Sequence, residues 1–130
     1  MLYSTGPCLG APGHAILPPI NLDGSSVFPR KQGSTAPAKF RLCDANGNSV
    51  GPSSSVVSDF RIVQTVNGTV TATANETVDS TTPDTAFRWD PTAQQWIFKI
   101  STKNLYAGYT YYFRIWLNDG TSIYFQFGLK

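Results

Sequence analysis

From residue 36 onward, apolar and polar residues alternate with a period of two over most of the chain. Ala38, Phe40 and Leu42 fall on one side of an extended backbone, and Lys39 and Arg41 fall on the other. That is the pattern of a half-buried strand. It ends at "DANGNS", a turn by composition. A second run passes through Phe60, Ile62, Gln64 and Val66 to Asn67-Gly68, and the β-rich "TVTATANETV" follows. Two such runs flanking Asn-Gly predict a hairpin, because these residues accept the positive φ of its turn. A short "AFRW", the turn "DPTAQQ" and "WIFKIS" come next, with Trp96, Phe98 and Ile100 sharing a face.

The last hairpin carries a parity argument. Tyr109, Tyr111, Phe113, Ile115 and Leu117 lie on one face of its first strand, with Tyr112, Arg114 and Trp116 on the other. In the second strand Ile123, Phe125, Phe127 and Leu129 alternate with Tyr124, Gln126 and Gly128. A two-residue Asp119-Gly120 loop would pair odd positions with even ones and mix core with surface. A loop of about three or five residues pairs odd with odd, so Gly120 is expected at a left-handed bulge position. The odd set is then core. The even set places Tyr112, Arg114, Trp116 and Tyr124 together on the opposite face, where they form a candidate partner surface. An aromatic second face wants cover, and residues 1–35 or another copy of the module are the expected source.

Residues 1–35 read differently. They are rich in Gly, Pro and Ser, with short apolar pieces at Ile16-Leu17, Ile20 and Val27-Phe28. Pro18-Pro19 excludes a helix there, so an extended arm including an edge strand is expected. No stretch shows helical periodicity over three turns. The reading is one domain over 1–130, with 36–130 as an antiparallel β-sandwich of about seven short strands at intervals of roughly ten residues.

Composition narrows the setting. The chain has 130 residues, of which 41% are hydrophobic and only 14% charged. Ser, Thr, Gly and Asn fill the gap, which suits extracellular β-proteins better than long helices. A net charge of +2, with Arg30-Lys31 its only adjacent basic pair, argues against nucleic acid as a partner. No apolar run is long enough to span a bilayer, so no membrane insertion is expected. Met1 is read as an added start or as following a removed signal. Cys8 and Cys43 have no zinc-ligand spacing. Their even count in a Ser/Thr-rich chain points to one disulfide and an oxidising compartment.

The segment "LYAGYTYYFRI" resembles the loop-to-strand corner of immunoglobulin-like and fibronectin type III domains. In that corner a Leu and a Gly precede a Tyr whose hydroxyl ties back to the loop. Leu105, Gly108 and Tyr111 hold those places, and Ala107 stands where a proline is common. A longer resemblance runs through "ILPPINLDGSSVFPRKQGSTAPAKFRLCDANGNSVG" and "FRWDPTAQQWIFKISTKNLYAGYTYYFRIWLNDGT". These segments are similar to the PxKF domain of secreted bacterial proteins, with Pro37, Lys39 and Phe40 as its name motif. The resemblance implies an Ig-like module of a larger secreted or cell-surface bacterial protein. It supplies no catalytic residue.

Candidate chemistry is sparse. "DANGNS" puts Asp44, Asn46 and Asn48 at the first positions of a calcium loop, but Ser49 replaces the required Gly and Ser55 stands where a bidentate Glu belongs. A connecting turn is the expected role. His14 has no nucleophile motif beside it, and the acids sit mainly at turns and strand ends. The expected function is therefore a non-catalytic spacer, adhesion or assembly unit without metal or cofactor. Neighbouring domains or further copies would be its partners. The alternative is a carbohydrate-binding module using the outward aromatics, with a glycan as ligand.

Overall fold

The computed structural model describes residues 3, 13–21, 24–28, 35–44, 46, 48, 50, 56–78, 87–103 and 105–129. Eight strands appear among them: β1 (Val27–Phe28), β2 (Thr35–Phe40), β3 (Val57–Asn67), β4 (Val70–Thr77), β5 (Arg88–Asp90), β6 (Gln95–Ser101), β7 (Tyr109–Leu117) and β8 (Ser122–Leu129). They form a five-stranded sheet in the order β1-β8-β7-β3-β4 and a three-stranded sheet in the order β2-β6-β5. The protein is an all-β sandwich, with no helix among the described residues. All pairings are antiparallel except that of β1 with β8.

The sheets meet over the apolar positions the alternation selects. The smaller sheet contributes Ala36, Ala38 and Phe40 from β2 and Trp96, Phe98 and Ile100 from β6, all buried. The larger sheet contributes Tyr111, Phe113, Ile115 and Leu117 from β7 with Ile123, Phe125, Phe127 and Leu129 from β8. Phe60 of β3 bridges the layers, its ring 5.0 Å from Phe98 and 6.0 Å from Phe113. Burying each of the Phe, Ile and Leu side chains among them contributes about 1.5–3 kcal/mol.

The last hairpin has the odd register. Phe113 pairs with Phe125 and Ile115 with Ile123, while Arg114 pairs with Tyr124 and Trp116 with Ser122. Leu117 N–H donates to Thr121 O at 2.9 Å, which closes a loop over 118–120, and Gly120 takes φ +89° at its end. Apolar core positions on both strands make this the register that buries them together.

Two local readings need correction. The run Phe60, Ile62, Gln64, Val66 is not one continuous face. Ile62 pairs with Phe113 but Gln64 pairs with Tyr112, so an irregularity at Val63 turns the strand over. Thr65 then comes to the core side, opposite Tyr111. The β3–β4 turn is also displaced by one residue. Asn67 pairs with Val70, leaving Gly68 and Thr69 as the loop, and Gly68 alone carries the positive φ, +62°. That fits a turn with Gly at its first central position.

The described N-terminal residues are more deeply built in than those of an extended arm. Tyr3, Ile16, Leu17 and Ile20 are buried in the core. Ile16 bridges Phe40, and the backbone N–H groups of His14 and Leu17 donate to Arg41 O and Lys39 O at 2.9 and 2.8 Å. Further along, β1 adds a parallel edge to β8, and Phe28 sets its ring edge-on to Phe127 at 5.2 Å. The opposite edge of that sheet contrasts with it. β4 is exposed at every position except Ala74.

Candidate functional site

The even positions of β7 and β8 form the outer face of the larger sheet, and Arg114 organises it. Its guanidinium carbon lies 4.4 Å from the Trp116 ring centroid and 5.2 Å from that of Tyr124. Its Nε donates to Ser122 Oγ at 2.9 Å, which holds the plane in place. The result is a Trp–Arg–Tyr stack in which the cation, rather than direct ring contact, joins the aromatics. Tyr112 sits two residues along, its hydroxyl accepting from Gln126 Nε2 at 3.4 Å.

β3 supplies the next row. Arg61 lies directly opposite Arg114, a like-charge pair that would be unfavourable alone. Asp59 offsets it, its Oδ2 taking Arg61 Nε at 2.8 Å. The side-chain hydrogen bond from Arg61 holds the Asp59 carboxyl below its ordinary pKa. Gln64, Tyr112, Tyr124 and Gln126 border a shallow groove of about 370 Å³ on this face. Cover from the described N-terminal residues reaches only its margin. A Cβ on Gly24 would lie 2.6 Å from Gln126 Nε2, while Tyr124 keeps 62% of its surface exposed.

At the corner before β7, the Tyr111 hydroxyl accepts from the Tyr106 N–H at 2.8 Å. The tie to upstream backbone is therefore made, with the hydroxyl as acceptor. Gly108 takes φ +86° and donates its N–H to Leu129 O at 2.7 Å, and Leu105 N–H donates to Thr102 O at 3.1 Å. Burial raises the Tyr111 pKa, and the Tyr106 hydrogen bond offsets only part of that. Beside this corner, Thr65, Glu76, Leu105, Tyr106, Tyr109 and Tyr111 line a second groove of about 320 Å³.

The remaining sequence candidates fall into structural places. Pro37 lies half-buried in β2, an edge strand of the smaller sheet, where a missing N–H is tolerated. Lys39 pairs with Ile97, and Phe40 is fully buried opposite Trp96. Cys43 is buried at 1% exposure, whereas Cys8 lies outside the described residues. Asp44 Oδ1 accepts from the N–H groups of Asn46 and Asn48 at 2.9 and 3.0 Å, so this carboxylate closes its own turn. Asp90 does the same for Thr92 and Ala93. Among the described residues, no three His, Cys, Asp or Glu side chains gather into a metal-sized group.

One polar cluster was not legible from sequence. Tyr3 N–H and the Thr121 backbone N–H donate to Asp119, at 2.9 Å each, and Thr121 Oγ1 donates to it at 2.5 Å. His14 Nε2 lies 2.7 Å from that Thr121 oxygen, and the Tyr3 hydroxyl donates to Asn118. Burial would raise the Asp119 pKa, but the hydrogen bonds from Thr121 and Tyr3 and the nearby His14 bring it below the ordinary value. These partners are more than a hundred residues apart in sequence, and no periodicity announces them. The cluster fastens the N-terminal residues to the β7–β8 loop.

Comparison with protein-family models, with curated proteins and with solved structures gives no match.

Proposed function

We propose that this chain is a non-catalytic, immunoglobulin-like module of a larger secreted or cell-surface bacterial protein, acting as a spacer, adhesion or assembly unit. The observation that carries the reading is the outer face, where the Arg114 guanidinium lies over both Trp116 and Tyr124, with Tyr124 largely exposed. Aromatic and arginine anchors held in fixed geometry are the residues that dominate protein–protein contacts. Strand order supports the Ig-like assignment. Three strands in the order β2-β6-β5 face a sheet whose middle is β8-β7-β3, with β4 beyond it, in the manner of variable-type immunoglobulin sheets. The Tyr111 tie to Tyr106 supports it again. The similarity of residues 37–40 and their surroundings to PxKF domains fits the same assignment and carries the extracellular location with it.

A Cys8–Cys43 disulfide belongs to this proposal. No cysteine among the described residues is free, and titration of the unreduced protein should reveal no thiol. The test of function is sedimentation of the wild type against a Trp116→Ala, Tyr124→Ala double variant. Loss of self-association, or of binding to an adjoining domain of the same polypeptide, with an unchanged Tm supports the module. Wild type that stays monomeric and binds no adjoining domain sinks it.

The second reading is a carbohydrate-binding module. The groove bordered by Tyr112, Tyr124, Gln64 and Gln126 favours it, since rings beside amide side chains suit stacking and hydrogen bonding to a sugar. Glycan-array binding that Tyr124→Ala abolishes would select this reading over the first.

A further inference from the structure

The outer face carries more positive charge than its own acids balance. Arg61 on β3 stands directly opposite Arg114 on β7, a placement in which like charges repel. Among the described residues, Asp59 is the one carboxylate bonded to either. Its Oδ2 takes Arg61 Nε at 2.8 Å and its Oδ1 takes the Phe60 N–H at 2.9 Å, so both oxygens are engaged. Arg114 Nε donates instead to the neutral Ser122 hydroxyl. A guanidinium offers four terminal N–H groups besides its Nε–H, and among the described residues neither arginine bonds through them. The site is open to solvent, with 31% of the Arg61 side chain exposed.

The outward side chains of β3, β7 and β8 stand in cross-strand rows. One row is Arg61, Arg114 and Tyr124, and the next is Gln64, Tyr112 and Gln126. The first row joins two guanidiniums to an exposed ring, and the second supplies two amides and a phenol. Guanidiniums match a carboxylate in charge and in fork geometry, and a bound carboxylate would offset the repulsion between Arg61 and Arg114. Rings take the apolar face of a sugar, while amides and hydroxyls reach its rim. Two residues of extended strand span about 7 Å, so the rows are set to meet the two ends of one acidic sugar. A protein partner fits less well. Lying flat on this face, it would have to satisfy Gln64, Tyr112 and Gln126 at once or bury them unpaired.

We infer that the outer face binds an acidic saccharide. The carboxylate of a hexuronic acid is held by Arg61 and Arg114, its ring lies against Tyr124, and its hydroxyls face the groove that Gln64, Tyr112 and Gln126 border. This specificity rests on the carbohydrate reading of the face and narrows it to glycans containing uronic acid.

The test is a titration of the full chain, read by amide chemical shifts, with oligogalacturonate and oligoglucuronate, their methyl esters, and a glutamate peptide. At least one acid oligomer should bind saturably and move the amides of Arg61, Arg114 and Tyr124. Its ester, the same sugar without the charge, should bind roughly tenfold more weakly or worse. Arg61→Gln should lower affinity for the acid to near that of the ester and leave the ester's own affinity as it was. An unchanged Tm shows that this variant is folded. Arg114→Lys, which keeps the charge and loses the fork, should weaken the acid several-fold. Equal binding of acid and ester overturns the carboxylate site while leaving the carbohydrate reading in place. Binding of no saccharide overturns both. A glutamate peptide that binds as tightly as the acid sugar overturns the site, and so does acid binding that survives both substitutions unchanged.

Discussion

At the scale of single residues, Tyr111 shows how a side chain serves packing and backbone together. Its ring lies in the core and its hydroxyl meets the amide of the residue five positions upstream. Tyr111→Phe keeps the ring but removes the acceptor for Tyr106 N–H, so a loss of about 1–2 kcal/mol is expected from urea unfolding. A midpoint equal to wild type would show that the tie contributes nothing. The corner could be read from "LYAGYTY" because Leu, Gly and Tyr at that spacing perform a local geometric task. His14, Asp119 and Thr121 could not be read in the same way, since their meeting brings together residues more than a hundred positions apart. Arg114 falls between these cases. Parity placed it among rings, but the stack with Trp116 and Tyr124 required the rotamers that Ser122 fixes.

At the scale of elements, alternation located most of the strands, and it worked best where both strands of a pair are apolar on one face. β7 and β8 meet that condition, and even their loop followed. Gly120 should therefore matter for its backbone alone. An added Cβ would meet nothing within 4 Å, but φ is +89°. Gly120→Ala is expected to cost about 1–2 kcal/mol in chemical unfolding, with the register kept. A cost near zero would mean that the loop relaxes out of its bulge. β3 defeated the same reasoning at Val63. Its polar and apolar residues after Ile62 suit either face, so the pattern carries no mark of the turnover. The register shifts against both β7 and β4 reveal it.

At the scale of the whole molecule, the two sheets are unequal, five strands against three. The sandwich class was legible because strand content and turn spacing decide it. The depth of the N-terminal segment was not, since Ile16 and Ile20 sit among prolines and glycines that carry no period. At one edge of the large sheet β1 covers the last two residues of β8, and the other edge ends in β4.

That ending has a consequence in time. A strand exposed on both sides loses little buried area when it peels away, so opening it costs far less than unfolding the domain. β4 amides should then exchange with deuterated water well before those of β7, which is flanked by β3 and β8. Equal protection in the two strands would mean that the sheet opens only as a unit. Glu76 rides on β4, so each opening also takes one wall of the corner groove with it.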